Sequence, residues 1–180
     1  MKKAALISAA IFAAYFLTRQ NMKSDIALAL ANKNVQAFID TVGYFESAGD
    51  YYALYGGGRF SDDSSHPNIR VPFHNPLRSG AGVNDFSTAA GKYQINRPTW
   101  LQIQALALLP DFSPVSQDQA AVWLLKMRGV LPLVIDGDIE GALRKASDTW
   151  ASLPFSTAGQ RPVKLQSALT RYAYNGGLTA

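Results

Sequence analysis

The chain contains no cysteine, which excludes disulfides and thiolate metal sites without fixing its compartment. Imidazole is nearly as scarce. His66 and His74 are the only two histidines, and neither has a second ligand at helical spacing. Each reads as a structural or substrate-contacting residue, and neither a metal nor another cofactor is expected. Dense Lys/Arg runs with interleaved aromatics are missing, which makes nucleic acid a poor choice of partner. There is no internal repeat and no low-complexity tract. Glutamate is rare as well: after Glu46 the next is Glu140.

What remains is 180 residues of which 48% are hydrophobic, enough for one domain with a real core plus an appendage. The net charge of +4 suits an anionic polymer such as bacterial wall. The appendage is at the start. Met1-Lys2-Lys3 precedes a charge-free stretch from Ala4 to Thr18, and Arg19 and Lys23 close it. As a helix that stretch would rise roughly 22 Å, against a hydrocarbon core about 30 Å thick. It is short for a span and suits the apolar region of a signal. Small-x-small sites are absent just after it, and those at Ala27–Ala29 and Ala29–Ala31 lie about ten residues too far along for ordinary cleavage. Residues 1–20 are therefore expected to be an uncleaved or slowly released signal-anchor. It would contact the bacterial inner membrane through residues 4–18, keep Lys2 and Lys3 inside and place the rest in the periplasm. Residues 21–33 are expected to be a linker. A buried N-terminal helix is the alternative.

Asn32 or Asn34 can cap the next helix, whose Val35, Phe38, Ile39, Val42 and Phe45 follow helical spacing on one apolar face. That helix delivers Glu46 to a change of pattern. From Tyr51 the chain is rich in glycine and aromatics, and Tyr52 to Ser61 reads as a β-hairpin turning at Gly56-Gly57-Gly58. Ile69 to Phe73 suggests a further strand, and 75–88 a long loop. The second half predicts helices. One begins at Pro98, with a face of Trp100, Leu101, Ile103, Leu106 and Ala107. The next is capped by Ser113 or Ser116, carries Ala120, Val122, Trp123, Leu124 and Met127, and stops at Gly129. Short helices follow over Leu131–Ile135 and behind Asp138, and a last one runs from about Pro162 to Tyr174. The expected class is α+β, mainly α, with a small antiparallel sheet beside a cleft.

A carboxyl at a helix end among aromatic rings loses hydration, which favours its neutral form and suits proton donation. A solvated surface Glu in a last helical turn is the plainer alternative. Tyr51, Tyr52 and Tyr55 offer flat faces to sugar rings, or serve as core. Asp62 and His66 are read as structural, fixing a turn through side-chain to backbone hydrogen bonds.

Several ordered blocks carry a resemblance. Ala37-Phe38-Ile39-Asp40 leading to Glu46; Phe60-Ser61-Asp62, Ser64 and His66-Pro67; Ser87-Thr88-Ala89-Ala90-Gly91-Lys92-Tyr93-Gln94; Asp111-Phe112-Ser113-Pro114; Ser116-Gln117-Asp118; and Trp150-Ala151-Ser152-Leu153-Pro154 are similar to the phage lambda endolysin family. Lys92 stands where that family's pattern has Arg. The resemblance implies a lysozyme-like catalytic domain over 34–180, lytic transglycosylase activity on peptidoglycan, and Glu46 as its catalytic residue. Tyr93 and Gln94, with Lys92, Tyr51 and Tyr55, become expected substrate contacts. A single clear glutamate fits the lytic reaction, in which one carboxyl acts as acid and then base, whereas hydrolysis asks for a second group. Asp50, Asp62, Asp63 and Asp85 stand in the loop region as possible second carboxylates. A non-catalytic wall-binding or virion protein on the same fold is the alternative of another class. Ala173-Tyr174-Asn175-Gly176-Gly177 resembles a block of another transglycosylase family and reads equally well as a helix C-cap.

Overall fold

The computed structural model describes residue 21 and residues 23–73, 85–158 and 161–180. The stretch from Ala4 to Thr18 and His74 lie outside the described residues. Among the described residues no helix is long and apolar enough to cross a membrane.

The first long helix, α1, is Lys33–Ser47. Asn32 caps it: its side-chain oxygen accepts from the N–H groups of Asn34 and Val35 at 2.9 and 3.2 Å, a device worth about 1 kcal/mol. Asn34 instead accepts from the N–H of Leu178. Val35, Phe38, Ile39 and Val42 are fully buried, so the apolar stripe faces the core as its spacing predicts. Ala48 ends the helix in the left-handed region, at φ 56°.

The helices behind it are α2 (Arg97–Ala107), α3 (Pro114–Met127), α4 (Leu131–Asp136), α5 (Ile139–Ala146) and α6 (Leu165–Tyr174). Ser113 and Asp138 cap α3 and α5 through their side chains. The mostly buried α3 is the central element, and α1 packs on α3, α4 and α6. Met127, expected on its inner face, is 52% exposed, and on α2 only Trp100 and Ile103 are buried while Leu101 and Leu106 face outward. Apolar spacing marked more positions than these helices bury.

Three expectations need correction. Residues 21–33 are not a linker throughout. Residues 23–30 are helical and place Ile26 and Ala29 in the core, and Asp25 pairs with Lys126 of α3 at 2.7 Å. The Tyr52–Ser61 hairpin reduces to one bridge, Ala53 with Arg59, because a 3-10 turn over Tyr55–Gly57 takes up its tip. The regular sheet lies further on. There β1 (Val71–Phe73), within the strand expected over Ile69–Phe73, pairs antiparallel with β2 (Asp85–Ser87), Pro72 opposite Phe86, and β2 lies inside what reads from composition as loop. Bridges Leu54 with Ala90 and Ala90 with Ile95 tie the Gly-rich segment to the chain before α2. This side of the molecule faces the end of α1 across a cleft.

Candidate active site

A cleft of about 590 Å³ opens between the last turn of α1, the Tyr55–Gly57 turn and the Trp150–Ser152 connector. Glu46, Asp50, Tyr55, Gln94, Asn96, Thr149 and Ser152 contribute polar groups to it. Glu46 is partly buried. Burial raises its carboxyl pKa, and hydrogen bonds from the Ser152 hydroxyl and backbone N–H partly offset that rise. Both bonds fall on one oxygen: Ser152 Oγ lies 2.5 Å and Ser152 N 3.3 Å from Glu46 Oε1. A backbone N–H can only donate, so Oε1 is an acceptor in either protonation state. Oε2 has no hydrogen-bond partner among the described residues.

Asp50 is the other carboxylate lining the cleft. One of its oxygens accepts from the N–H of Tyr52 at 2.9 Å and the other pairs with Arg59. Asp62 accepts from the N–H of Ser64 at 2.9 Å; the Ser64 hydroxyl first and that N–H second hold its pKa low, and Asp63 accepts from Tyr52 Oη at 3.0 Å. Neither these two nor Asp85 lines the cleft. Tyr55 presents its ring to the cleft, braced edge-on by Phe73 at 5.6 Å. Gln94, at φ 46°, donates through Nε2 to the carbonyls of Gly91 and Ala53 at 3.0 and 3.4 Å. Its amide oxygen is left as an acceptor at the cleft wall. Thr149 Oγ1 is buried there without a hydrogen-bond partner among the described residues.

Tyr51, Lys92 and Tyr93, expected on the substrate, lie elsewhere: they form a polar layer behind the cleft. Tyr93 is 1% and Lys92 7% exposed. Lys92 Nζ reaches Asp40 at 2.7 Å, Tyr51 Oη at 3.1 Å and Asp118 at 3.7 Å. Desolvation works to lower its pKa, but these partners outweigh it and the net direction is up. Tyr51 and Tyr93 both donate to Asp118, at 2.8 and 2.5 Å, and burial first, then that carboxylate, raises both phenols. The Lys92 stem crosses α1 at Gly43, where a Cβ would stand 2.6 Å from Lys92 Cγ. The layer positions the site from behind. The Lys92 carbonyl accepts from Ser47 at 2.8 Å, next to Glu46, and the Tyr93 carbonyl accepts from Trp150 Nε1 at 3.1 Å, two residues before Ser152.

His66 is buried against Phe112 and Trp100. Its Nε2 sits 2.9 Å from the carbonyl of Ile95 and its Nδ1 accepts from the N–H of Asn68 at 3.1 Å. The carbonyl requires an Nε2–H and the N–H requires a bare Nδ1, so the ring is neutral, and burial lowers its pKa. Sequence reasoning missed Ser152 as Glu46's partner. The signal was present in Trp150-Ala151-Ser152-Leu153-Pro154, whose one hydroxyl is the group that reaches the carboxyl.

A family model described as Endolysin matches residues 36–179. The chain is 34% identical over 155 residues to the endolysin of Escherichia phage lambda, covering 81% of this chain and 93% of that protein. It is 31% identical over 162 residues to the endolysin of Escherichia phage P2, covering 83% and 96%. A solved structure of bacteriophage lambda lysozyme complexed with a chitohexasaccharide superposes with a TM-score of 0.74 at 34% identity, covering 83% of this chain and 97% of that one. A second structure, of lysozyme from bacteriophage lambda, gives 0.71 at 32% identity.

Proposed function

The chain belongs to the endolysin family, a peptidoglycan-degrading enzyme with a lysozyme-like fold, and from that premise we propose that it cleaves glycan strands by the lytic transglycosylase reaction with Glu46 as the only catalytic carboxyl. The observation that carries this is the asymmetric hold on Glu46, with Oε1 fixed by Ser152 and Oε2 without a partner among the described residues, available to carry the transferable proton. Because a relative is held with a chitohexasaccharide, this cleft is read as accepting a β-1,4-linked aminosugar chain, with Tyr55 under one ring and Gln94 at an acetamido N–H. Oε2 gives its proton to the glycosidic oxygen as the C1–O bond of the muramyl unit breaks. The carboxylate then takes the proton of that unit's C6 hydroxyl, whose oxygen bonds to C1 and closes a 1,6-anhydro ring. Glu46 ends protonated, and no water is consumed. Both Asp50 oxygens already have a partner, the Tyr52 N–H and Arg59, which makes it a weaker base toward water than a free carboxylate.

The pH–rate profile on purified peptidoglycan tests this. Glu46 must start protonated, so activity is expected to fall as pH rises through its pKa, which burial holds above the ordinary value. Ser152→Ala removes a bond that favours the carboxylate. The pKa rises further, and the basic limb moves to higher pH while the maximal rate falls. An unchanged limb in this variant contradicts the assignment of Glu46 and Ser152, and a wild-type chain that leaves peptidoglycan intact contradicts the function.

A further inference from the structure

Beside the cleft is a second hollow of about 410 Å³, and Phe45 lines both. Arg171 of α6 is held there between two tyrosines, its guanidinium carbon 3.6 Å from the ring centre of Tyr44 and 4.7 Å from that of Tyr174. Tyr44 in turn meets Phe45 edge-on at 5.1 Å. Arg171 Nε is buried with no hydrogen-bond partner, and no carboxylate among the described residues pairs with the group. A basic residue in the last turn of a helix normally answers the carbonyl end of the dipole while staying hydrated. Here two rings restrict the guanidinium and one donor is taken from water without compensation, an unfavourable state for an N–H. The cation–π contacts offset part of it. The covered Nε is out of a ligand's reach, but a clamped, planar guanidinium whose two Nη groups have no carboxylate partner among the described residues is built to receive one through parallel N–H bonds from those two atoms. Tyr174, 78% exposed, adds an apolar shelf at the edge of the hollow.

We propose that the Tyr44–Arg171–Tyr174 stack is a substrate subsite that binds a carboxylate of the peptide stem carried by the glycan strand in the cleft. This rests on the peptidoglycan reading of the cleft and names the part of that substrate which a bare aminosugar chain lacks. The net charge of +4 favours the same anionic ligand.

Isothermal titration with a soluble disaccharide–tetrapeptide muropeptide, and with the same molecule amidated at its stem carboxylates, tests it. The wild-type chain is expected to bind the free-carboxylate form about tenfold or more tightly than the amidated form, as one charge-assisted bidentate pair implies. Arg171→Gln is expected to bind both forms alike, at the wild-type affinity for the amidated one, and to raise KM on intact peptidoglycan with kcat unchanged. Equal wild-type affinity for the two forms overturns the proposal, as does a loss in Arg171→Gln that is the same for both. Failure here leaves the cleft's reading intact as long as the wild-type chain still degrades peptidoglycan.

Discussion

Glu46→Gln is expected to lower activity on purified peptidoglycan by about 10²–10⁴-fold, the range typical of an acid–base residue, with little change in stability. The amide keeps an oxygen able to accept from the Ser152 N–H, so the end of α1 has no reason to move. What is lost is the titrating proton. Removing a partly desolvated carboxyl also removes a group that burial disfavours in its charged form, so Tm should hold or rise slightly. A variant within a few-fold of wild type would sink the account. Asp50→Asn is the informative companion. Asp50 shares the cleft but is tied to Tyr52 and Arg59, so its loss should act through the Gly-rich turn and cost far less activity. An equal loss in both variants would indicate two cooperating carboxylates.

The second large effect is on stability. Gly91→Ala places a Cβ 2.1 Å from Gln117 Oε1, at a φ of 76°. Gln117 cannot step aside cheaply. It is buried, and its amide accepts from the N–H of Lys92 at 2.9 Å while donating to the carbonyls of Tyr51 and Phe112 at 3.0 and 2.8 Å. Left-handed backbone in a non-glycine residue costs roughly 1–2 kcal/mol. Overpacking, or leaving a buried backbone group unpaired, adds about 1–3 kcal/mol. A total of about 2–5 kcal/mol is a large share of the stability typical of a domain, and should lower Tm by about 10 °C in a chain of this size. Gly57→Ala is the control: its φ is 96° but a Cβ there meets nothing within 4 Å. Only the backbone term remains, so thermal melts should show a clearly smaller loss. Equal losses would mean that the Gln117 clamp contributes nothing.

Local physics made part of this molecule legible. The buried stripe of α1 and the caps Asn32, Ser113 and Asp138 follow from residues within one helical turn of where they act. Long-range partners were the obscure part. Lys92 and Tyr93 are residue types that suit a sugar, but their directions are set by Asp40, 52 residues away, and Asp118, 25 residues away. Ser152 reaches Glu46 across 106 residues of chain. Ile26 and Ala29 had helical spacing, yet the neighbouring charge-free stretch drew attention to a membrane role and hid their contribution to the core. Asp85–Ser87 is too short to alternate visibly and pairs only because Val71–Phe73 lies beside it.

The most direct test is the chemistry of the new glycan ends. Purified peptidoglycan is digested briefly, and the first soluble muropeptides are weighed by mass spectrometry and assayed for reducing ends. If Glu46 acts alone as acid and then base, each new muramyl end is a 1,6-anhydro ring, lighter by one water than a hydrolysed end and without reducing power. Reducing muramyl ends as the main initial product would contradict the single-carboxyl reaction and make Asp50, the other carboxylate lining the cleft, the group to examine.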